Sequence, residues 1–218
     1  MTKAQAQTRI DLHVDSLLGD IERARELFEI VVLDGGKEIE GEFHPYDQPT
    51  RRDLTQYLFL EVAASWEHFT REVFFIAVQH FYATSPQKVE YLAGHIDRGQ
   101  DGVYGWASPD RLVERSTHLL GKNSEIARMK SIPNGQQIYD RLAWSHKIRN
   151  RIAHVGPSVK YNRILSPMGV PAPKRQGLGP GRLLLDYPAG SPIGDRWFDR
   201  LLDNYQRVAV RWQEELLA

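Results

Sequence analysis

Four stretches of the chain repeat their apolar residues every three or four positions, which is the spacing of an amphipathic helix. In the first, from about Thr8 to Leu33, the residues are Ile10, Val14, Leu17, Leu18, Ile21, Leu27 and Ile30, and Asp34-Gly35-Gly36 ends the pattern. A loop with Pro45 and Pro49 follows. The second runs from about Asp53 to Ala83 and is apolar over most of its circumference, with Leu58, Phe59, Val62, Trp66, Phe69, Val73, Phe74, Ile76, Val78 and Phe81. One narrow polar seam, Glu61, Ser65, His68, Glu72 and Gln79, interrupts it, so this helix is expected at the centre of its neighbours. The third spans about Gln136 to Val155 and stops at Gly156-Pro157. The fourth, about Asp195 to Leu217, puts Trp197, Leu201, Tyr205, Val208 and Trp212 on one face.

Between these stretches the pattern is broken. Residues 84–134 are irregular and glycine-rich apart from one short helix, opened by Ser108 as cap with Pro109 at its first position and closed before Gly121. Residues 157–193 are dense in proline and glycine. Two short runs there, Val159–Leu165 and Arg182–Tyr187, are read as strands of a small hairpin arm. The expectation is an all-α, single-domain bundle over residues 1–218, with about four long helices, a shorter one and two decorated loops.

Composition narrows the classes of function. The chain has 218 residues, enough for one full core. Its 28 basic residues balance 28 acidic ones, so any nucleic-acid role must come from local clustering. There are no cysteines, which removes disulfides, thiolate metal sites and cysteine nucleophiles and suits a reducing cytoplasm. Polar residues fill Met1 to Asp11, without the apolar stretch of a secretion signal, and no run is long enough to span a bilayer. The eight histidines include no His-x3-His pair and no His-Glu-x-x-His. They are therefore read as structural or surface residues, and neither a metal nor a cofactor is expected. Gly177-x-Gly179-Pro180-Gly181 lacks the lysine of a phosphate loop and reads as a turn. Trp106, near Tyr104, is read as an aromatic tucked onto the helices in preference to a stacking platform for a base.

The densest chemistry lies in the third helix, at Lys147-Ile148-Arg149-Asn150-Arg151-Ile152-Ala153-His154. At about 100° per residue, Arg149 falls about 20° from Ile138, inside the apolar stripe. A guanidinium there needs an anionic partner, and Glu61, Glu67 and Glu72 on the second helix are the candidates. Asn150 and His154, four apart, share another face, flanked by Lys147 and Arg151, with His146 on a nearby face. In the last turn the helix dipole favours a protonated imidazole, whereas the adjacent cations favour the neutral ring. A ring balanced between two protonation states suits a general acid or base. The bland alternative is a buried ion-pair hub next to a capping histidine.

The pattern Arg149-Asn150-x-x-x-His154, late in a helical bundle, resembles the signature of the HEPN superfamily. Ala153-His154-Val155-Gly156 resembles many of its members. Glu67-His68-Phe69-x-x-Glu72 after Ala63-Ala64-Ser65 resembles the earlier helix of the RiboL-PSP-type bacterial branch. The resemblance covers the two central helices, about a third of the chain. It implies a metal-independent endoribonuclease in which Arg149, Asn150 and His154 are catalytic. A glutamate (Glu61, Glu67 or Glu72) would support the arginine, and His146, Lys147 and Arg151 would contact RNA. It further implies a homodimer with juxtaposed motifs, acting as a toxin or in phage defence under an antitoxin or other regulatory protein. The same superfamily implies the rival: an inactive scaffold that binds a nucleotide or a partner protein.

Overall fold

A computed structural model describes residues 1–97, 103–154, 159–190 and 195–218, the side chains of residues 97, 103 and 104 excepted. The fold is all-α with one small antiparallel hairpin. Its helices are α1 (Lys3–Leu27), α2 (Gln48–Phe81), α3 (Pro86–Asp97), α4 (Pro109–Leu119), α5 (Gly135–Ala153), α6 (Val159–Leu165), α7 (Ala172–Arg175), α8 (Pro180–Leu185) and α9 (Trp197–Glu215). The strands are β1 (Gly36–Ile39) and β2 (Glu42–Pro45). Backbone contacts divide the chain into two compact units. The first comprises Met1–Gly19, Ala64–Ala143 and Asn204–Ala218; the second comprises Asp20–Ala63 and Trp144–Asp203.

In the first unit the core is aromatic. Trp66 of α2 stacks on Tyr205 of α9 with ring centres 4.8 Å apart, and Trp212 lies 5.7 Å from Trp66 and 5.9 Å from Phe69. Ile10, Val14 and Leu17 of α1 are buried in the same unit. Such rings remove more apolar surface from water than any other side chains, and offset pairs add a further attraction. A 3₁₀ turn at Val103–Ala107 inserts Trp106, fully buried, against Phe74 and Phe75 at 5.3 Å from each. The Arg115 guanidinium covers the indole at 4.3 Å, and the Thr70 hydroxyl donates to the Trp106 carbonyl at 3.0 Å. Trp106 is thus packed into the unit, as the sequence suggested; Tyr104's side chain lies outside the described residues.

In the second unit Phe28 stacks on Phe198 at 4.4 Å, and Trp144 meets Trp197 edge-on at 6.0 Å. Tyr161, Ile164 and Leu165 of α6 and Leu183 and Leu184 of α8 are buried beside them. Here the sequence reading needs correcting. Val159–Leu165 and 182–185 within Arg182–Tyr187 are helical, not strands of an arm. In α6 the inward residues stand three and four apart, which only a helix puts on one side. In α8 Pro180 takes the first position, where its missing N–H costs nothing. Gly181 lies so close to α2 that a Cβ would stand 2.4 Å from the Arg52 carbonyl oxygen.

The hairpin lies elsewhere, joined by Glu40 and Gly41, both at positive φ (54° and 84°). That pair of left-handed residues gives the turn whose twist matches two antiparallel strands. α1 also departs from the expected single helix. At Phe28–Leu33 it widens into a π-helical segment, marked by the Asp34 N–H donating to the Glu29 carbonyl at 3.0 Å. Phe28 and Val32 face inward there, while Leu27 and Ile30, expected in the stripe, are exposed. Phe81, expected among the core residues of α2, is also exposed at the helix end.

One helix of the irregular regions escaped the sequence reading. Residues 84–134 contain α3, which repeats the serine–proline start of α4: the Lys88 N–H donates to the Ser85 hydroxyl, and Pro86 follows. Ser108 precedes Pro109 as expected but makes no side-chain capping bond. The Gly156-Pro157 break lies outside the described residues.

Candidate functional site

Residues His146 to Ala153 form the last two turns of α5, and His154 lies just past its end. Ser145, just before these turns, and Ile148 within them are fully buried and Ile152 is half-buried, so the apolar stripe anchors the helix. Arg149, beside that stripe, is half-buried, as are His146, Lys147, Asn150 and Arg151; His154 is exposed.

A short chain of hydrogen bonds orders this face. Arg149 donates from Nη1 to the Asn150 Oδ1 at 3.2 Å, and the Asn150 Nδ2 lies 3.0 Å from the His146 Nε2. The chemistry fixes the amide's orientation, because a guanidinium carries donors only and must meet the oxygen. The amide nitrogen then faces the imidazole, so the His146 Nε2 is the acceptor of this bond. Asn150 therefore turns back one helical turn to His146, the direction in which helical side chains lean. Its backbone carbonyl accepts from the His154 N–H at 3.1 Å, which holds the last turn closed. The Arg151 Nη1 reaches the His154 carbonyl at 3.5 Å. Arg151 thus stands in the last turn, at the negative end of the helix dipole, where a cation is favoured, with Lys147 and Arg149 before it in the helix.

Tyr161 of α6 belongs to this surround and was not anticipated. It is almost fully buried, and burial pushes its phenol well above the usual tyrosine range, with the Arg151 charge opposing.

The three candidate glutamates differ. Glu61 is exposed in the second unit, to which the motif also belongs. Glu67 and Glu72 are in the first unit. Glu67 is buried, and its backbone carbonyl accepts from the Thr70 hydroxyl at 3.0 Å. The Glu72 carboxylate pairs with Arg71, its neighbour in sequence. Near Glu72, His13 and His68 meet edge-on at 5.8 Å. Burial lowers the pKa of His13 below the ordinary histidine value, helped by His68 and Arg9 and opposed by Glu72. Among the described residues no three histidines, aspartates or glutamates converge as a metal site would require. No helix among them is long and apolar enough to cross a membrane.

Comparison of the chain with protein-family models, with characterised proteins and with solved structures finds no match.

Proposed function

We propose that the chain is a metal-independent endoribonuclease of the HEPN kind, with Arg149, Asn150 and His154 as its catalytic residues. The observation that carries this reading is the His146–Asn150–Arg149 chain of hydrogen bonds next to an exposed His154. A guanidinium whose direction is fixed in advance loses little on meeting a phosphate, and bidentate Arg–phosphate pairs are strong and geometrically selective. An imidazole with its ring in solvent is free to exchange protons with a substrate.

The reaction balances with two copies of the chain. A neutral His154 takes the proton of the ribose 2′-hydroxyl as its oxygen bonds to phosphorus. The phosphorus–O5′ bond breaks, and the leaving oxygen takes a proton from the protonated His154 of a second copy. The products are a 2′,3′-cyclic phosphate and a 5′-hydroxyl. Arg149 balances the charge that gathers on the non-bridging oxygens, Lys147 and Arg151 meet the flanking strand, and His146, expected from the sequence to contact RNA, acts instead by holding Asn150. One imidazole serves one proton transfer at a time, which is why the proposal needs a homodimer. Single-stranded or loop regions, as in tRNA, fit a site that must reach a 2′-hydroxyl. The cellular role proposed is that of a cytoplasmic toxin or defence effector held in check by an antitoxin or other regulatory protein.

The test compares the native chain with His154→Ala in expressing cells and on purified RNA. Loss of general acid–base catalysis lowers the rate by about 10²–10⁴-fold. Native cleavage leaving cyclic phosphate ends, abolished in the variant, supports the enzyme. Equal behaviour of the two chains leaves the rival, a scaffold that binds a nucleotide or a partner protein.

A further inference from the structure

The first unit contains a cleft to which the ribonuclease reading assigns nothing. Its inner hollow, about 300 Å³, is walled by Phe75, Ile76, Val89 and Ala93, with Arg71, Glu72 and Glu90 among its polar lining. A second hollow of about 530 Å³ adjoins it, and Arg9, Gln79 and Pro86 line both. Arg9 therefore stands at the neck between them. Clefts of about 300–1,000 Å³ with apolar walls and a few converging polar groups are the usual form of small-molecule sites.

Charge decides what the neck takes. The Arg71 guanidinium is balanced by Glu72 and lies over the Phe75 ring at 5.3 Å. Arg9 is different: its Nη1 donates to the neutral Gln79 Oε1 at 3.1 Å and lies 3.8 Å from the Met1 sulfur. No carboxylate of the described residues pairs with it. Gln79 is itself buried, and with its oxygen committed to Arg9 its amide N–H groups remain as donors beside the guanidinium. Arg9 is thus the guanidinium open to an anion at the neck, with Arg71 taken up by Glu72, while the Glu90 carboxylate opposes a doubly charged group.

We infer that this cleft binds a small monocarboxylate with an apolar body, its carboxylate on Arg9 and Gln79 and its body against Phe75, Ile76, Val89 and Ala93. The inner hollow matches about ten waters' worth of liquid volume, which suits a ring or a short alkyl chain. The inference stands apart from the ribonuclease reading and uses none of its catalytic or RNA-contacting residues.

The experiment titrates the full chain with phenylacetate, with its uncharged counterpart phenylacetamide and with inorganic phosphate, by calorimetry and by NMR shifts. Expected is saturable phenylacetate binding, weakened about tenfold or more in the amide and in Arg9→Gln. Val89→Trp, which fills the hollow and leaves Arg9 in place, abolishes it. Arg9 is exposed and Val89 half-buried, so both variants keep the fold, which circular dichroism verifies. No binding of phenylacetate at millimolar concentration, equal binding of the amide, unchanged binding by Arg9→Gln or tighter binding of phosphate would each overturn the inference.

Discussion

Replacing His146 by leucine tests whether the ordered face of α5 matters to chemistry. The imidazole Nε2 accepts from Asn150 at 3.0 Å, and Asn150 in turn accepts from Arg149 at 3.2 Å. Leucine keeps most of the volume of the half-buried ring but removes the acceptor. One hydrogen bond of this kind contributes about 0.5–1.5 kcal/mol net. The amide then rotates, and the Arg149–Asn150 bond, worth about 1.5–3 kcal/mol as a charge-assisted contact, is made only part of the time. If about 1–1.5 kcal/mol of that orientation is lost at the transition state, RNA cleavage falls about five- to tenfold. His146→Gln restores an acceptor at similar reach and recovers most of the rate. The assay is single-turnover cleavage of an end-labelled RNA by native chain, His146→Leu, His146→Gln and His154→Ala, with secondary structure checked alongside. The gradation is the point: His146 acts through Asn150, so its loss costs much less than the loss of His154. Should His146→Leu cleave at the native rate, or His146→Gln fail as fully as His154→Ala, the positioning argument is refuted.

Other expectations concern the fold. Trp212→Ala removes a ring that contacts both Trp66 and Phe69, and unfolding by urea should show a loss of about 3–5 kcal/mol. Gly181→Ala drives a methyl into the Arg52 carbonyl and should cost about 1–3 kcal/mol by the same measurement, without changing helix content. Burial raises the Asp199 carboxyl above its ordinary 3.8, with Arg25 only partly compensating. The folded chain therefore binds the extra proton, and stability falls as pH rises from 3.8 through the raised value. Asp199→Asn should be the more stable chain at neutral pH, with the advantage fading on acidification through that window, as followed by thermal melts.

Much of the helical framework was legible because long helices repeat their apolar spacing many times. Trp197, Leu201, Tyr205, Val208 and Trp212 all turned inward, as one stripe of α9 requires. Short elements leave no such record. α6 and α8 are seven and six residues long, and their β-branched and leucine runs read equally well as strands. The Glu40-Gly41 turn was missed because glutamate is not a usual left-handed residue, although the glycine beside it was the available signal. α3 could have been found from Ser85-Pro86, the same opening that revealed α4.

In the motif, the sequence by itself determined the residue types and their order on the helix: an arginine, read as inside the apolar stripe and found half-buried beside it, an amide next to it and a histidine at the end. Spacing along a helix is a local property, so no other part of the chain was needed to state it. Tertiary structure decided what those groups touch. It left His154 in solvent, placed Glu67 and Glu72 in a different compact unit from the motif and buried Tyr161 in the field of Arg151. The cleft around Arg9 and Gln79, seventy positions apart in the chain, likewise exists only once the helices are packed. Such contacts depend on side-chain directions and on segments distant in sequence, and one-dimensional periodicity carries no information about either.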